Sequence, residues 1–214
     1  MTDPAAPPSR RRETTRAKLL DAAAQLFAEV GLDAASVEAI CERAGFTRGA
    51  FYSNFASKDE LFLELAGQVA TARMEAVRAR IAELECEGAL GAQITDLAAI
   101  IPLVLDVSVA DHVGVMLMSE IRINALRSPE LAAAYLAQDA EMRTSVAQLI
   151  TEIVESNQLV LRVEAADAAR LMLTAWEGES VRATMAGLAY EEVAQRTNDV
   201  LALMIRLIIE APRR

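Results

Sequence analysis

The sequence predicts an all-α protein, and three observations carry that prediction. Ala, Leu, Glu and Arg dominate its 214 residues, and all are strong helix formers. Runs of Val, Ile, Thr and Tyr, the residues that favour strands, are scarce. Apolar residues recur at helical spacing in segments opened by Ser, Thr or Pro and closed by Gly. A hydrophobic content of 53% allows a sizeable core, and the length fits one large or two small domains.

Residues 1–12 are rich in Pro, Ala and Arg and are expected to be disordered in isolation. A helix is expected from about Glu13 to Val30, with Leu19, Leu20, Ala23, Phe27 and Val30 on the 3.6 period and Gly31 ending it. Ser36 caps a second helix, to about Ala44, which Gly45 breaks. Thr47 caps a third, from Arg48 to about Asn54. Ser57 with Glu60 forms a capping box that opens a long helix toward Glu85. A helix from about Ala89 to Leu105 follows, kinked or ended by Pro102, then one from about Val109 to Leu126. Ser128-Pro129-Glu130 places a cap, a proline at the first helical position and an acid at the positive dipole end, starting a helix to about Ser156. Two more span about Glu164 to Ala189 and Glu191 to Ile209. That makes about nine helices and no convincing strand. The expected division is a basic arm (1–12), a three-helix unit (13–60) and a larger helical domain (61–214).

The formal net charge of −10 argues at first against a nucleic-acid partner. Its distribution argues otherwise. Residues 1–65 hold 8 Lys/Arg against 10 Asp/Glu, so most of the acidity lies outside the opening segment. Arg10, Arg11, Arg12, Arg16 and Lys18 cluster near the start. Two cysteines without metal-type spacing and a single histidine, His112, speak against a structural zinc site. Residues 1–12 contain no apolar run of the kind a signal peptide needs. The longest apolar stretch, Leu97 to Ala110, is broken by Pro102 and Asp106 and is too short to span a bilayer. The expected location is the cytosol, with no membrane partner and no cofactor.

The segment Ser36–Leu61 carries the chemistry. Two helices at a steep angle need a tight turn, and Gly45 supplies the left-handed backbone for it. Cys41 and Ala44 are small enough for close helix approach. Ile40, Phe46, Phe51 and Phe55 are expected to point inward. Thr47, Arg48, Gly49, Ala50, Tyr52, Ser53 and Asn54 then form an outer face that is short, polar and nearly free of acids. Such a face can enter a major groove. Arg48 suits guanine or a phosphate, and Tyr52 and Asn54 suit phosphate oxygens. Lys58 adds a charge at a helix N-terminus. A helix-turn-helix used only for packing is the plainer reading, but packing does not require that exposed face. Arg10 to Arg12 have two readings, a minor-groove or phosphate contact and a solubilising tail.

Gly45-Phe46-Thr47-Arg48-Gly49-Ala50-Phe51-Tyr52-Ser53-Asn54-Phe55, followed by Lys58-Asp59-Glu60-Leu61, resembles the N-terminal signature of the TetR/AcrR transcriptional regulators. Ala22-Ala23, Leu26-Phe27, Gly31, Ser36-Val37 and Ile40 resemble the same family, so the likeness covers roughly residues 13–65. It implies an Ω-shaped all-α homodimer that represses, or occasionally activates, transcription and responds to a small ligand. It also implies that Ser36, Thr47, Arg48, Gly49, Tyr52, Asn54 and Lys58 touch double-stranded DNA. Asn54 stands where histidine is common, and Ser53 where a second aromatic is common.

The last helix, Val200 to Ile209, is apolar nearly all round, with Arg206 its one charge. A surface helix in a monomer needs one apolar stripe, so a second face here calls for cover. Pairing it and the helix before it with their copies would make a four-helix interface, as TetR-like proteins do. Leu171, Ala175, Val200, Met204, Leu207 and Ile208 are the interface candidates; a helix buried wholly within one subunit is the alternative. Two reading heads about 34 Å apart then suit a palindromic operator. The middle helices are candidates for a small-molecule pocket lined by His112, Met116, Met118, Tyr135, Met142, Met172 and Trp176. Residues of these types at helical spacing are more often simply core. Asp106, Asp111 and Glu120 either favour a cation there or face solvent. The sequence lacks a Gly-rich phosphate loop, a G-x-S-x-G motif and any obvious partner for its histidine, so an enzyme is disfavoured. A DNA-binding architectural or protein-interaction factor with no ligand is the alternative to a ligand-released repressor.

Overall fold

The computed structural model describes residues 10–87 and 112–210, which form eight helices and one pair of two-residue strands. In chain order these are α1 (Arg10–Ala34), α2 (Val37–Ala44), α3 (Arg48–Tyr52), α4 (Lys58–Cys86), α5 (His112–Ala125), α6 (Pro129–Ser156), β1 (Val160–Leu161), α7 (Ala165–Met185), α8 (Tyr190–Ile208) and β2 (Ile209–Glu210). The all-α expectation holds. The helix expected from Ala89 to Leu105 lies outside the described residues, as do residues 1–9. Among the described residues, no helix is long and apolar enough to cross a membrane.

The chain divides into two compact units. The first takes residues up to Gln68 together with Met116–Ala132, and the second takes Val69–Val115 and Ala133–Arg214.

In the first unit, α1 begins three residues earlier than the sequence predicts. Arg10 and Arg11 join its first turn, where their carbonyls accept from the Thr14 and Thr15 hydroxyls at 2.8 and 2.9 Å. The helical path breaks at Gly31 (φ 78, ψ 171), as its left-handed φ requires. Leu19, Leu20, Ala23 and Phe27 are buried, and the Phe27 ring meets Phe62 of α4 edge-on at 6.0 Å. Leu117, Ile121 and Leu131 are also buried. Between α2 and α3 the chain turns at Gly45 (φ 73, ψ 31). Its N–H donates to Glu42 O at 3.2 Å and that of Phe46 to Cys41 O at 2.9 Å, so two end-of-helix carbonyls are satisfied. A Cβ at Gly45 would meet nothing within 4 Å. The cost of Gly45→Ala is therefore purely conformational, about 1 kcal/mol, and should register as a lower unfolding temperature. Ile40, Phe51 and Phe55 are buried as expected. Phe46 is only half-buried, a correction, because it lies in the turn itself, between the Gly45 corner and the Thr47 cap.

Arg43 of α2 grips Glu29 of α1 with two bonds, at 2.6 and 2.7 Å. That hydrogen bonding holds the Glu29 carboxyl below its usual range. Its contribution is therefore present above the unfolded carboxyl pKa and fades as pH falls through the folded-state value.

In the second unit, α7 and α8 pack along each other. Small residues on α7, Ala168, Ala169, Ser180 and Ala183, are buried and permit close approach. Val193, Thr197, Leu201 and Ile208 are buried on α8, and the Thr197 hydroxyl donates to Val193 O at 2.9 Å. The expectation of no strand is corrected. Val160 and Leu161 pair antiparallel with Glu210 and Ile209, and Arg162 N–H donates to Ile208 O at 2.8 Å. Gln158, at φ 54, makes the turn that leads into this pairing. Both cysteines are free; Cys41 is buried in the first unit and Cys86 exposed at the end of α4.

Candidate nucleic-acid interface

The helices α2, α3 and α4 each start on a hydroxyl cap. Ser36 Oγ accepts from Ala39 N–H at 3.1 Å, Thr47 Oγ1 from Ala50 N–H at 3.2 Å and Ser57 Oγ from Glu60 N–H at 3.0 Å. Glu60 returns the favour by accepting from Ala56 N–H at 2.5 Å. These caps leave α3 a single well-defined turn and a half that starts on Thr47. Phe51 sits on its inner side, fully buried, with Tyr52 edge-on at 5.3 Å and Phe55 tilted at 5.7 Å. The opposite side is open. Thr47, Arg48, Gly49, Tyr52 and Ser53 are exposed, and Ser36, Ala50 and Lys58 are half-buried around them.

Two features of this face are not legible in the sequence. The first is an acid. Glu38 of α2 lies 2.6 Å from Arg48, so the face carries a carboxylate beside its one arginine. The guanidinium also lies 5.8 Å from the Tyr52 ring centroid, within cation–π range. Tyr52 first, and then Glu38, favour the charged guanidinium.

The second is a clamp behind the face. Arg16 of α1 donates through Nε to Glu64 Oε1 at 2.9 Å and through Nη2 to Glu64 Oε2, while Nη1 donates to the Asn54 carbonyl. Its guanidinium stacks over Phe55 at 4.2 Å from the ring centroid. One side chain thus ties α1, the end of α3 and the start of α4 together. Arg12 adds a bond to the Ser53 carbonyl at 3.3 Å. Arg12 therefore has a packing role beyond the groove-binding and tail readings of the arm.

Asn54 is a correction. It is not on the outer face; α3 ends at Tyr52 and Asn54 is 8% exposed. Its amide donates inward to Ala50 O at 2.8 Å and to Ser53 Oγ at 3.3 Å, and its own N–H to Phe51 O at 2.8 Å. Its Oδ1 is buried with no partner among the described residues. Those two side-chain bonds hold the amide against the end of α3. Ser53 is exposed, but its hydroxyl is engaged with Ala50 O at 2.9 Å.

A family described as "Bacterial regulatory proteins, tetR family" matches residues 19–65, from Leu19 of α1 to Leu65 of α4. Over those residues the helix-turn-helix matches the TetR family of bacterial regulatory proteins. The HTH-type transcriptional repressor Rv1474c of Mycobacterium tuberculosis is 40% identical over 84 residues, 39% of this chain and 41% of that protein. The HTH-type transcriptional repressor KstR2 of Rhodococcus jostii is 42% identical over 65 residues, 30% of this chain and 32% of its own length. The aligned residues thus span well under half of these relatives. Over the whole chain the likeness is one of fold. The structure of SmeT, repressor of the Stenotrophomonas maltophilia multidrug efflux pump SmeDEF, superposes with a TM-score of 0.61 at 20% identity, covering 94% of this chain and 93% of that one.

The other expected sites are dispersed. Met116 is exposed and Glu120 half-buried, both in the first unit; Met118 is half-buried there too. Tyr135, Met142, Met172 and Trp176 are half-buried in the second. The His112 side chain lies outside the described residues, as do Asp106 and Asp111. An open groove of about 600 Å³ between α6 and the start of α7 is lined by Arg143, Thr144, Gln148, Thr151, Asp167 and Arg170 among others. None of the ligand candidates lines it. Of the expected dimer residues, Leu171 and Leu207 are exposed and Ala175, Val200 and Met204 half-buried. Ile208 is a correction: at 5% exposed it is packed inside its own subunit, where the β1–β2 pairing holds the end of α8.

Proposed function

We propose that this protein is a TetR-family repressor that binds a palindromic operator as a homodimer and is released by a small, mainly hydrophobic ligand. The observation that carries the reading is the α3 face: Thr47, Arg48, Gly49 and Tyr52 stand exposed on a helix whose other side is anchored by fully buried Phe51 and Phe55. Arg48 reads a guanine edge, Tyr52 and Ser36 take phosphate oxygens, and Lys58 brings charge to the same backbone.

A five-residue helix reads few bases, so one head gives poor discrimination. The second unit offers the means of doubling it. On α8, Val200, Leu203, Met204 and Leu207 recur at i, i+3, i+4 and i+7, the spacing of one helix face, while Val193, Thr197, Leu201 and Ile208 turn inward. Leu203 and Leu207 are 54% and 59% exposed. An exposed apolar stripe of this kind marks an interface, and a second copy of α7 and α8 matches it by symmetry.

The ligand part of the reading rests on the fold shared with SmeT and with the multidrug binding protein EbrR, whose structure holds imidazole. A ligand acts by preferring a state in which the two heads are wrongly spaced, which shifts the population away from DNA. α4 is the covalent route for that change, since it starts on Lys58 in the head and ends on Cys86 in the other unit.

Selecting bound duplexes from a random pool tests the reading. A palindrome with half-site centres about one helical turn apart, or a multiple of it, is the expected product. Recovery of unrelated sequences, or of single half-sites, would sink it.

A further inference from the structure

We infer that Glu38 is a specificity-determining residue of the DNA-reading head. This rests on the DNA-binding reading above and goes beyond it, because Glu38 itself need not touch DNA. Arg48 is the first residue of α3 and 61% of its side chain is exposed; Glu38, from the second residue of α2, is 58% exposed and lies 2.6 Å away. An exposed arginine at the tip of a reading helix would ordinarily serve any phosphate it met. Such contacts are sequence-independent and supply nonspecific affinity. Paired with Glu38, the Arg48 site carries no net charge, and its attraction to the backbone is largely cancelled.

The pair does not disable base reading. A guanidinium has five N–H donors; the ion pair with Glu38 is made through Nη1, and a side-chain hydrogen bond to Tyr52 takes part of the remainder. The Tyr52 ring beside it limits where the fork can swing. A guanine edge, with O6 and N7 fixed side by side, takes the remaining donors while Glu38 keeps its own. Each backbone phosphate carries a full negative charge, shared over its two non-bridging oxygens, and the Glu38 carboxylate repels it. The acid thus withholds Arg48 from the backbone and yields it to a base edge, raising discrimination by weakening the wrong complex. Glu42, a turn further along α2 and also exposed, has no recorded contact with Arg48 and supplies the control for bulk charge.

The test compares wild type, Glu38→Gln and Glu42→Gln on the duplex enriched from the random pool and on a scrambled duplex of equal length. Glu38→Gln should bind the scrambled duplex several-fold more tightly. Its plot of log affinity against log salt there should steepen by about 0.9 for each phosphate newly contacted. The ratio of specific to nonspecific affinity should fall by about tenfold, well inside the range such ratios span. Glu42→Gln should leave the ratio near wild type. An unchanged ratio in Glu38→Gln, or an equal fall in Glu42→Gln, overturns the inference. Glu38→Asp, which keeps the charge on a shorter stem, should fall between wild type and Glu38→Gln; a melting curve for each variant separates misfolding from altered reading. If wild type binds neither duplex, the DNA-binding reading fails, and Glu38 is not then at issue.

Discussion

Replacing Arg48 and Tyr52 together with alanine should abolish sequence-specific DNA binding while leaving the protein folded. Neither side chain belongs to the core: Arg48 is 61% and Tyr52 51% exposed. Exposed substitutions away from caps and turns usually shift stability by less than about 0.5 kcal/mol. The loss in binding is much larger. A bidentate arginine–guanine pair contributes about 1–3 kcal/mol of discrimination. On the proposed reading the Tyr52 hydroxyl would add a phosphate contact that fixes register, and a dimer would lose each contact twice. On that basis the double variant should bind the enriched duplex at least about 10²-fold more weakly. Anisotropy titrations on that duplex, beside melting curves, measure both halves. Operator affinity within a few-fold of wild type would mean that the recognition face has been placed wrongly.

Arg16→Ala should have the second largest effect, and through a different route. It removes a two-pronged ion pair to Glu64, a bond to the Asn54 carbonyl and a stacking contact on Phe55. Charge-assisted bonds of this kind contribute about 1.5–3 kcal/mol where partly buried. The two side chains are 29% and 27% exposed, which lowers the figure by solvent screening. The head should lose about 2–3 kcal/mol. Amide exchange over residues 48–56 would rise first, because these backbone groups lie nearest the lost partner. Trp176 lies in the second unit, so its emission is a poor probe of this change. Arg16→Lys keeps the charge without the fork and should recover only part of the loss. If protection over 48–56 is unaltered in Arg16→Ala, the clamp has no structural role.

The parts of the head that could be read from the sequence are those specified locally. Ser36, Thr47 and Ser57 are caps by their chemistry, and Gly45 is a corner because its φ of 73 costs other residues energy. The α2 boundaries follow directly from those signals. What was illegible depends on partners distant in the chain. Arg16 meets Glu64 across 48 positions, and nothing near either residue announces the other. Asn54 lies beyond the end of α3, where its amide bonds back to Ala50 O and is buried, which the helical spacing alone does not indicate. The Glu38–Arg48 pair joins two helices and has no local signal, since the pattern of α2 marks only its buried side, Ile40 and Cys41. Leu203 is one apolar residue among many on α8, and burial, not composition, separates the two faces of that helix. The β1–β2 pairing joins segments about fifty residues apart through two residues each, too short for any periodicity to register.

The two cysteines give the head a built-in clock. Cys86 is exposed and should react with a thiol reagent at once. Cys41 is 4% exposed, and burial first, then Glu38, pushes its thiol above the usual range. Modification of Cys41 therefore waits for the first unit to open and for the thiolate to form. Two chemically identical groups then label the chain in sequence, and the interval between them reads out how often the head comes apart. With bound duplex that interval should lengthen, so occupancy of the reading face becomes measurable from protein chemistry alone, with no label on the DNA.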